Sequence, residues 1–531
     1  MRSRIRQSLT EERPANRFLL EVVVRIPPLS LGTLSLVLVA GLATQPGTIG
    51  GSALAVSKKS QSNASLPQRW WETGSALRNL SLKEDTNFPQ LSLDPVRAAA
   101  QLRALKQQGF TGIQVFAPAD GGKSYDGLDA RDHYRIEPRY GTVADFRRVV
   151  QIAHSLGMPV ITFDNLGYSA LDAPSFLKAC DDLREGRQSR ERQWFFWSDS
   201  KNTPAPASGD HYFMVRPAWL PGYDADKYEH WAWSDRAQHY YWTRWPGKDG
   251  GGNAIELPQY NWNSPAWQAE AEKIVRFWMA TGIDGMVLDA VNWYAGYTWD
   301  MGRQHITGVI NSYGNKYTQP EGAGGFQDDP VAWITEGGWV SVQDYGLSIW
   351  WEKPKQILEK AIEAGDPRAI EESLRNYHDR VVAAGGTLNM QLVGIKDSPA
   401  KQRLAAAIIA TTGHLITDWS PRDDEMAADP EIQWLLKTKG AHPALGQMGP
   451  RRKLPTNDDS KYYAFLRSTR DGGERVLVVA NFSDTPQPVQ VDISGLRFST
   501  ITDLRSGEMA SPGRSAEFTL PALGYRLFRV Q

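Results

Sequence analysis

Residues 281–293, TGIDGMVLDAVNW, decide the fold. GMVLDAV (285–291) reads as a short buried β-strand with Asp289 near its carboxyl end, among Val287, Leu288 and Val291. An unpaired carboxylate buried in such an apolar run costs several kcal/mol. It therefore needs a partner or a function. In a β/α barrel the carboxyl ends of the strands open onto the active-site face. A lone strand-end Asp is as often a structural acceptor, so the other strand ends carry the argument.

Working outward, the flanks have the matching rhythm. PVRAAAQLRALKQQ (95–108) is an amphipathic helix stopped by Gly109, and FTGIQVF (110–116) is the strand after it. VADFRRVVQIAHSL (143–156) is a second helix stopped by Gly157, followed by MPVITF (158–163) with Asp164 at its end. A further helix, PAWQAEAEKIVRFWMATG, feeds the Asp289 strand. Candidate strands follow at 331–335 with Glu336, and at 347–351, 387–393 and 415–418. The expected fold class is α/β: a (β/α)8 TIM barrel, interrupted after its third strand and followed by a C-terminal antiparallel β-sandwich.

The chain divides accordingly. Residues 70–165 and 261–445 form the barrel. Residues 166–260, rich in Trp, Tyr, Pro and Gly, are too long for a structureless loop and read as an inserted subdomain. Most of the aromatics there serve its own core, and one or two face a cleft. Residues 446–531 turn to short alternating strands (KYYAFLRS, RVLVVANFS, QPVQVDIS, SAEFTLP) and form the C-terminal β domain.

The 531 residues carry 59 Lys plus Arg against 60 Asp plus Glu, a balance that favours neither nucleic acid nor an anionic membrane as partner. Arg2, Arg4, Arg6, Arg13 and Arg17 precede an apolar stretch at 29–43, and Ala53-Leu54-Ala55 is a small-residue cleavage site. We expect a signal peptide over 1–55, then a disordered start at 56–69 and no stable membrane insertion after cleavage. A single cysteine, Cys180, rules out an intrachain disulfide. The expected location is a bacterial periplasm or exterior. The nine His show no ligand spacing, and no acidic calcium loop stands out, so we expect no metal and no cofactor.

Three acids stand at or past three strand ends: Asp289, Glu336 and Asp397. Carboxylates converging on one barrel mouth suit glycosidic bond cleavage, where one protonates the leaving oxygen and another attacks or activates water. At this point the chain resembles a known family, the α-amylase-type glycoside hydrolases (family 13), nearest the α-glucosidase, sucrose-isomerase and trehalose-synthase branch. The segments that carry the likeness run in family order. They are GLDARDHYRIEPRYGTVADFRRVVQIAHSLGMPVITFDN, PSFLKA with WFFWSD, LPQYNWNSPAW with FWMATGIDGMVLDAV, ITEGGW, LVGIKDSPAKQRLAAAIIATTGHLI, and KGAHPALGQM with YYAFLRS.

The resemblance implies Asp289 as nucleophile, Glu336 as general acid then base, and Asp397 as stabiliser of the transition state. Asp129 and Asp164 would support the sugar subsite. Tyr168, Trp293 and Lys396, which neighbour these acids in sequence, are counted with them as substrate contacts. The family's Arg two residues before the nucleophile is Val287 here, its His before the third acid is Lys396, and its stacking Tyr is Leu128. NLGYSA replaces its Asn-His pair. The expected partner is an oligosaccharide, held in a subsite of unusual make-up. A non-catalytic sugar-binding relative and a sugar isomerase are the alternatives.

Overall fold

The computed structural model describes residues 69–531 except 85, 87, 125–126, 207–228, 249–253, 323–328, 349–355, 393–397, 420–424, 498 and 511–512. The expected leader and residues 56–68 lie outside the described residues.

Eight parallel strands form one sheet: β1 Ala76–Ser81, β2 Gly112–Phe116, β3 Val160–Asp164, β4 Gly285–Leu288, β5 Tyr317–Pro320, β6 Ser341–Gln343, β7 Thr387–Gln391 and β8 Leu415–Asp418. The order around the sheet is β5-β4-β3-β2-β1-β8-β7-β6. β1 pairs with β8, with Leu77 opposite Thr417, and the seam between β5 and β6 is closed by Val340 N–H donating to Thr318 O at 3.3 Å. The result is a barrel with every strand's carboxyl end on one face.

Two of these strands correct the sequence reading. Residues 331–335 are helical, within Pro330–Thr335, because Asp329 caps the first turn by accepting from Val331 N at 3.0 Å and Pro330 opens the helix. The strand expected at 347–351 lies earlier, at β6; Leu347 sits in the turn after it, where its N–H donates to Asp344 Oδ1 at 2.9 Å. β5, which carries Pro320, was not expected at all.

Inward positions share one register across neighbouring strands. Phe116 stands opposite Phe163, Phe163 opposite Val287, and Val287 opposite Gln319. Lower in the barrel, Gln114 donates to Asn79 Oδ1 at 3.1 Å, and Asn389 donates to Thr417 Oγ1 at 2.5 Å. The base is plugged by Trp70 and Trp71, whose rings pack on Tyr317 at 5.5 and 6.1 Å. The inserted segment holds the helix Pro174–Arg184 and an antiparallel sheet that includes His230–Ser234, His239–Lys248 and Ala254–Pro258. Its aromatics do build a core: Phe176 packs on Phe195 and Tyr241, and Tyr260 stacks on Trp267 of the following barrel helix at 3.5 Å.

The C-terminal domain is antiparallel, with Arg451–Leu454, Tyr462–Ser468, Arg475–Asn481 and Tyr525–Val530 consecutive in its main sheet. Arg467, fully buried, reaches from this sheet into the barrel base and donates to the carbonyls of Thr412, Ala444 and Gly446. Beside it, buried Lys439 donates to Leu445 O at 2.9 Å. Among the described residues no helix is long and apolar enough to cross a membrane.

β4 and β5 approach so closely at Gly285 that a Cβ there would lie 2.2 Å from the Tyr317 carbonyl oxygen. Gly285→Ala is expected to destabilise by about 1–3 kcal/mol, the usual cost of overpacking. A fall in the thermal unfolding midpoint by differential scanning calorimetry checks this.

Candidate active site

Asp289 follows the last residue of β4 and is buried. The apolar run that carries it is in place, although the strand stops at Leu288 and residues 291–293 form a single 3-10 turn. Its backbone N–H donates to Asp164 O at 2.7 Å, which fastens the end of β4 to the end of β3. Ala290 then takes a left-handed conformation (φ 42°), uncommon for a residue with a side chain and a local strain of about 1–3 kcal/mol. That turn directs the Ala290 N–H to Glu321 Oε2 at 3.2 Å.

Glu321 is the residue that sequence reasoning missed. It follows Pro320, the last residue of β5, and its N–H donates to Leu288 O at 2.7 Å. Positions 289 and 321 are thus direct neighbours on adjacent strands. Both are on the inward register, continuing Val287 and Gln319. The Tyr345 hydroxyl donates to Glu321 Oε1 at 2.6 Å. Burial pushes the Glu321 carboxyl up to about 7, against the opposing pull of Tyr345 and the Ala290 N–H. It is a carboxylic acid poised to hold its proton near neutrality.

Glu336 stands elsewhere. It is exposed at the C-terminus of the helix Pro330–Thr335, and its backbone carbonyl accepts from Arg303. The chain there is about to enter β6, so Glu336 lies at the amino end of the strands, on the face opposite the site. A barrel helix runs back down between strands, so its end cannot face the mouth. Lys396 and Asp397 lie outside the described residues.

A small cleft opens above Asp289, lined by Asn165, Gly167, Tyr168, Gln259, Asp289, Ala290, Trp293 and Tyr294. Tyr168 and Trp293 therefore border the same space as Asp289. Asp129 and Asp164 do not line it. Asp129 is buried, accepts from the N–H groups of Lys123 and Ser124 at 3.0 and 3.1 Å, and holds the loop after β2; burial raises its carboxyl to about 6. Asp164 accepts from Thr162 Oγ1 within β3, and burial holds its carboxyl well above the ordinary range. Both are supports beneath the site. Asp344 and Asp418 are supports too: Asp344 accepts from or pairs with His414 Nε2 at 2.7 Å, and Asp418 pairs with Arg78 across β1 and β8 at 2.5 Å.

The positions where the resemblance leads one to expect Arg and Tyr are filled by hydrocarbon. Val287 and Leu128 are buried in one cluster with Phe116, Phe163 and Tyr168. Phe88, Phe116, Phe163 and Trp419 close around one another, with ring centroids 4.6–6.0 Å apart. One side of the barrel mouth, from β1 to β3 and β8, is an aromatic wall. Among the described residues no group of three His, Cys, Asp or Glu side chains is placed to hold a metal ion.

Comparison with known proteins agrees with this geometry. Residues 97–319 match the α-amylase catalytic domain, and residues 452–527 match the maltogenic amylase C-terminal domain. Residues 97–319 thus carry an α-amylase catalytic domain. Its relatives include the maltase A1 of Drosophila melanogaster, 26% identical over 231 residues, which are 42% of this chain and 35% of that protein. The trehalose synthase of Thermus thermophilus is 32% identical over 166 residues, 31% of this chain and 14% of that protein. The matched part thus spans about a third or less of these relatives' length. In fold, an α-amylase from H. orenii superposes with a TM-score of 0.63 at 17% identity, covering 86% of this chain and 99% of that one. The Bacillus licheniformis trehalose-6-phosphate hydrolase gives the same score at 14% identity, covering 87% and 99%.

The raised Glu321 carboxyl has a measurable consequence for stability. The native state binds this proton more tightly than the unfolded chain, so the contribution is fully present below the ordinary Glu value of 4.5 and is lost as pH rises through about 7. Glu321→Gln, permanently neutral, should therefore unfold at a higher temperature than the unmodified protein at pH 8. The gap should close towards pH 4.5, and thermal melts at the two pH values decide it.

Proposed function

We propose that the chain is a retaining α-glycosidase, or a transglycosidase of the same mechanism, acting on an α-linked oligosaccharide. The observation that carries this reading is the pair Asp289 and Glu321 on adjacent strand ends: Asp289 and Ala290 line the cleft, and the Ala290 N–H donates to Glu321. Neighbouring strands run about 4.8 Å apart. Retaining enzymes need carboxyls about 5–5.5 Å apart, and inverting ones leave about 6.5–9.5 Å for a water. A single strand spacing favours the retaining arrangement.

Asp289 attacks the anomeric carbon and forms a covalent glycosyl-enzyme. Glu321, kept protonated by burial, gives its proton to the leaving oxygen and is left as a carboxylate. That carboxylate then takes a proton from the incoming water or sugar hydroxyl, which breaks the ester. Tyr168 and Trp293 offer ring faces to the sugar. Asp397, on the segment after β7, is proposed as the third carboxylate, with Lys396 beside it as a positive partner. The aromatic wall formed around Phe163 and Trp419 replaces hydrogen-bonding groups on one side of the ring, which supports a sugar subsite that differs from a plain glucose grip. The family relatives named α-glucosidase, maltase and trehalose synthase make an α-glucosyl unit the first substrate to test. The arginine-led N-terminus supports export from a bacterial cytoplasm.

The experiment compares Asp289→Asn, Glu321→Gln and Glu336→Gln on a panel of α-linked di- and oligosaccharides. The first two should lose at least about a thousandfold in kcat, with unchanged circular dichroism, and Glu336→Gln should match the unmodified enzyme. A fluorinated glycosyl fluoride should label the peptide that contains Asp289, seen by mass spectrometry. Free monosaccharide in the products marks a hydrolase, and a new disaccharide marks an isomerase or transglycosidase. Full activity in Asp289→Asn removes the mechanism.

A further inference from the structure

Tyr345 stands two residues past β6, on the turn that faces β5, and is buried. Its hydroxyl donates to Glu321 Oε1 at 2.6 Å. The other carboxyl oxygen, Oε2, lies against the Ala290 N–H, and Ala290 borders the cleft. The two oxygens therefore have different surroundings: Oε1 is fastened to the β6 turn, and Oε2 lies on the side of Ala290.

The turn that presents Tyr345 is itself fixed from behind. Asp344 Oδ2 meets His414 Nε2 at 2.7 Å, and His414 Nδ1 meets Thr412 Oγ1 at 3.0 Å. Asp344 Oδ1 accepts from Leu347 N, and the Asp344 N–H donates to Asn389 O at 2.8 Å on β7. The Tyr377 ring packs against Gly346 so tightly that a Cβ there would come 2.5 Å from Tyr377 Cβ. The Tyr377 hydroxyl donates to Gln343 O at 3.0 Å. The backbone on both sides of Tyr345 is thereby held.

Resting on the assignment of Glu321 as proton donor, we propose that Tyr345 is a positioning residue: its hydroxyl holds Oε1 so that the transferable proton resides on Oε2, toward the leaving oxygen. It touches the acid and not the sugar. Among the described residues, the groups that bond Glu321 are the Ala290 peptide from β4 and Tyr345 from the β6 turn, with Asp289 its neighbour in register on β4. Tyr377 and the Asp344–His414 pair stand behind that turn. Because a hydroxyl bonded to a carboxylate favours the ionised form, removing it leaves Glu321 protonated to a higher pH.

The test is Tyr345→Phe, read by two measurements. Carboxyl 13C titration, with the Glu321 signal assigned by its loss in Glu321→Gln, should move up by about one pH unit. The alkaline limb of kcat/KM for p-nitrophenyl α-glucoside should move with it. kcat/KM at pH 7 should fall about tenfold to a hundredfold for a disaccharide, whose leaving oxygen needs a well-placed proton. It should fall far less for α-glucosyl fluoride, whose leaving group needs little help. If Tyr345→Phe does not fold, Asp344→Asn, which loosens the turn from His414, must move the same limb in the same direction. An unmoved titration, an unmoved limb, or an equal loss on both substrates overturns the proposal. If the titration moves but the unmodified protein turns over no α-glycoside, the proposed reaction fails and the positioning role with it, while the bond itself stands recorded.

Discussion

Two carboxylates buried on neighbouring strands cannot both ionise cheaply, and the barrel holds them there regardless. Glu321 is held by two donors, the Tyr345 hydroxyl and the peptide N–H of Ala290, the latter swung onto it by a left-handed residue directly after Asp289. The parallel sheet places both acids at one mouth, and the strand register decides that they face the same way. Burial then raises the Glu321 carboxyl toward its protonated form near neutral pH.

The support beneath is consistent with that demand. Asp164 and Asp129, expected as supports of the sugar subsite, bond their own chain: one closes onto Thr162, the other gathers two loop N–H groups. Asp344 and Asp418 are tied to His414 and Arg78. Each of these acids is buried with a partner, as a buried polar group must be. Asp289 is the acid that lines the cleft.

The barrel was legible because its signals are local and repeated: amphipathic helices ended by Gly109 and Gly157, apolar strands after them, and Asp289 conspicuous in an apolar run. Glu321 was hidden because its strand, YTQP, is short, polar and ends in proline, a residue that argues against a central strand. Pro320 is accommodated because it occupies the last position, where the ladder is ending. The decoy, Glu336, lay in a β-branched stretch that mimics a strand, and the aspartate–proline pair at 329–330 that starts a helix was the overlooked signal. Leu128 and Val287 were read correctly as departures, but a sequence cannot show what fills the space they leave. That took the packing of Phe88, Phe116, Phe163 and Trp419, which come from four separate segments.

The guanidinium of Arg467 belongs to the C-terminal sheet, yet its bonds end on carbonyls at the underside of the barrel. A guanidinium has five N–H donors in a fixed fork and rarely gives up its proton. The tail of the chain thus serves as a keystone for the floor beneath the catalytic mouth, and severing it would orphan three inward-pointing oxygens that no water reaches. The sheet that carries Arg467 is integral masonry of the barrel floor.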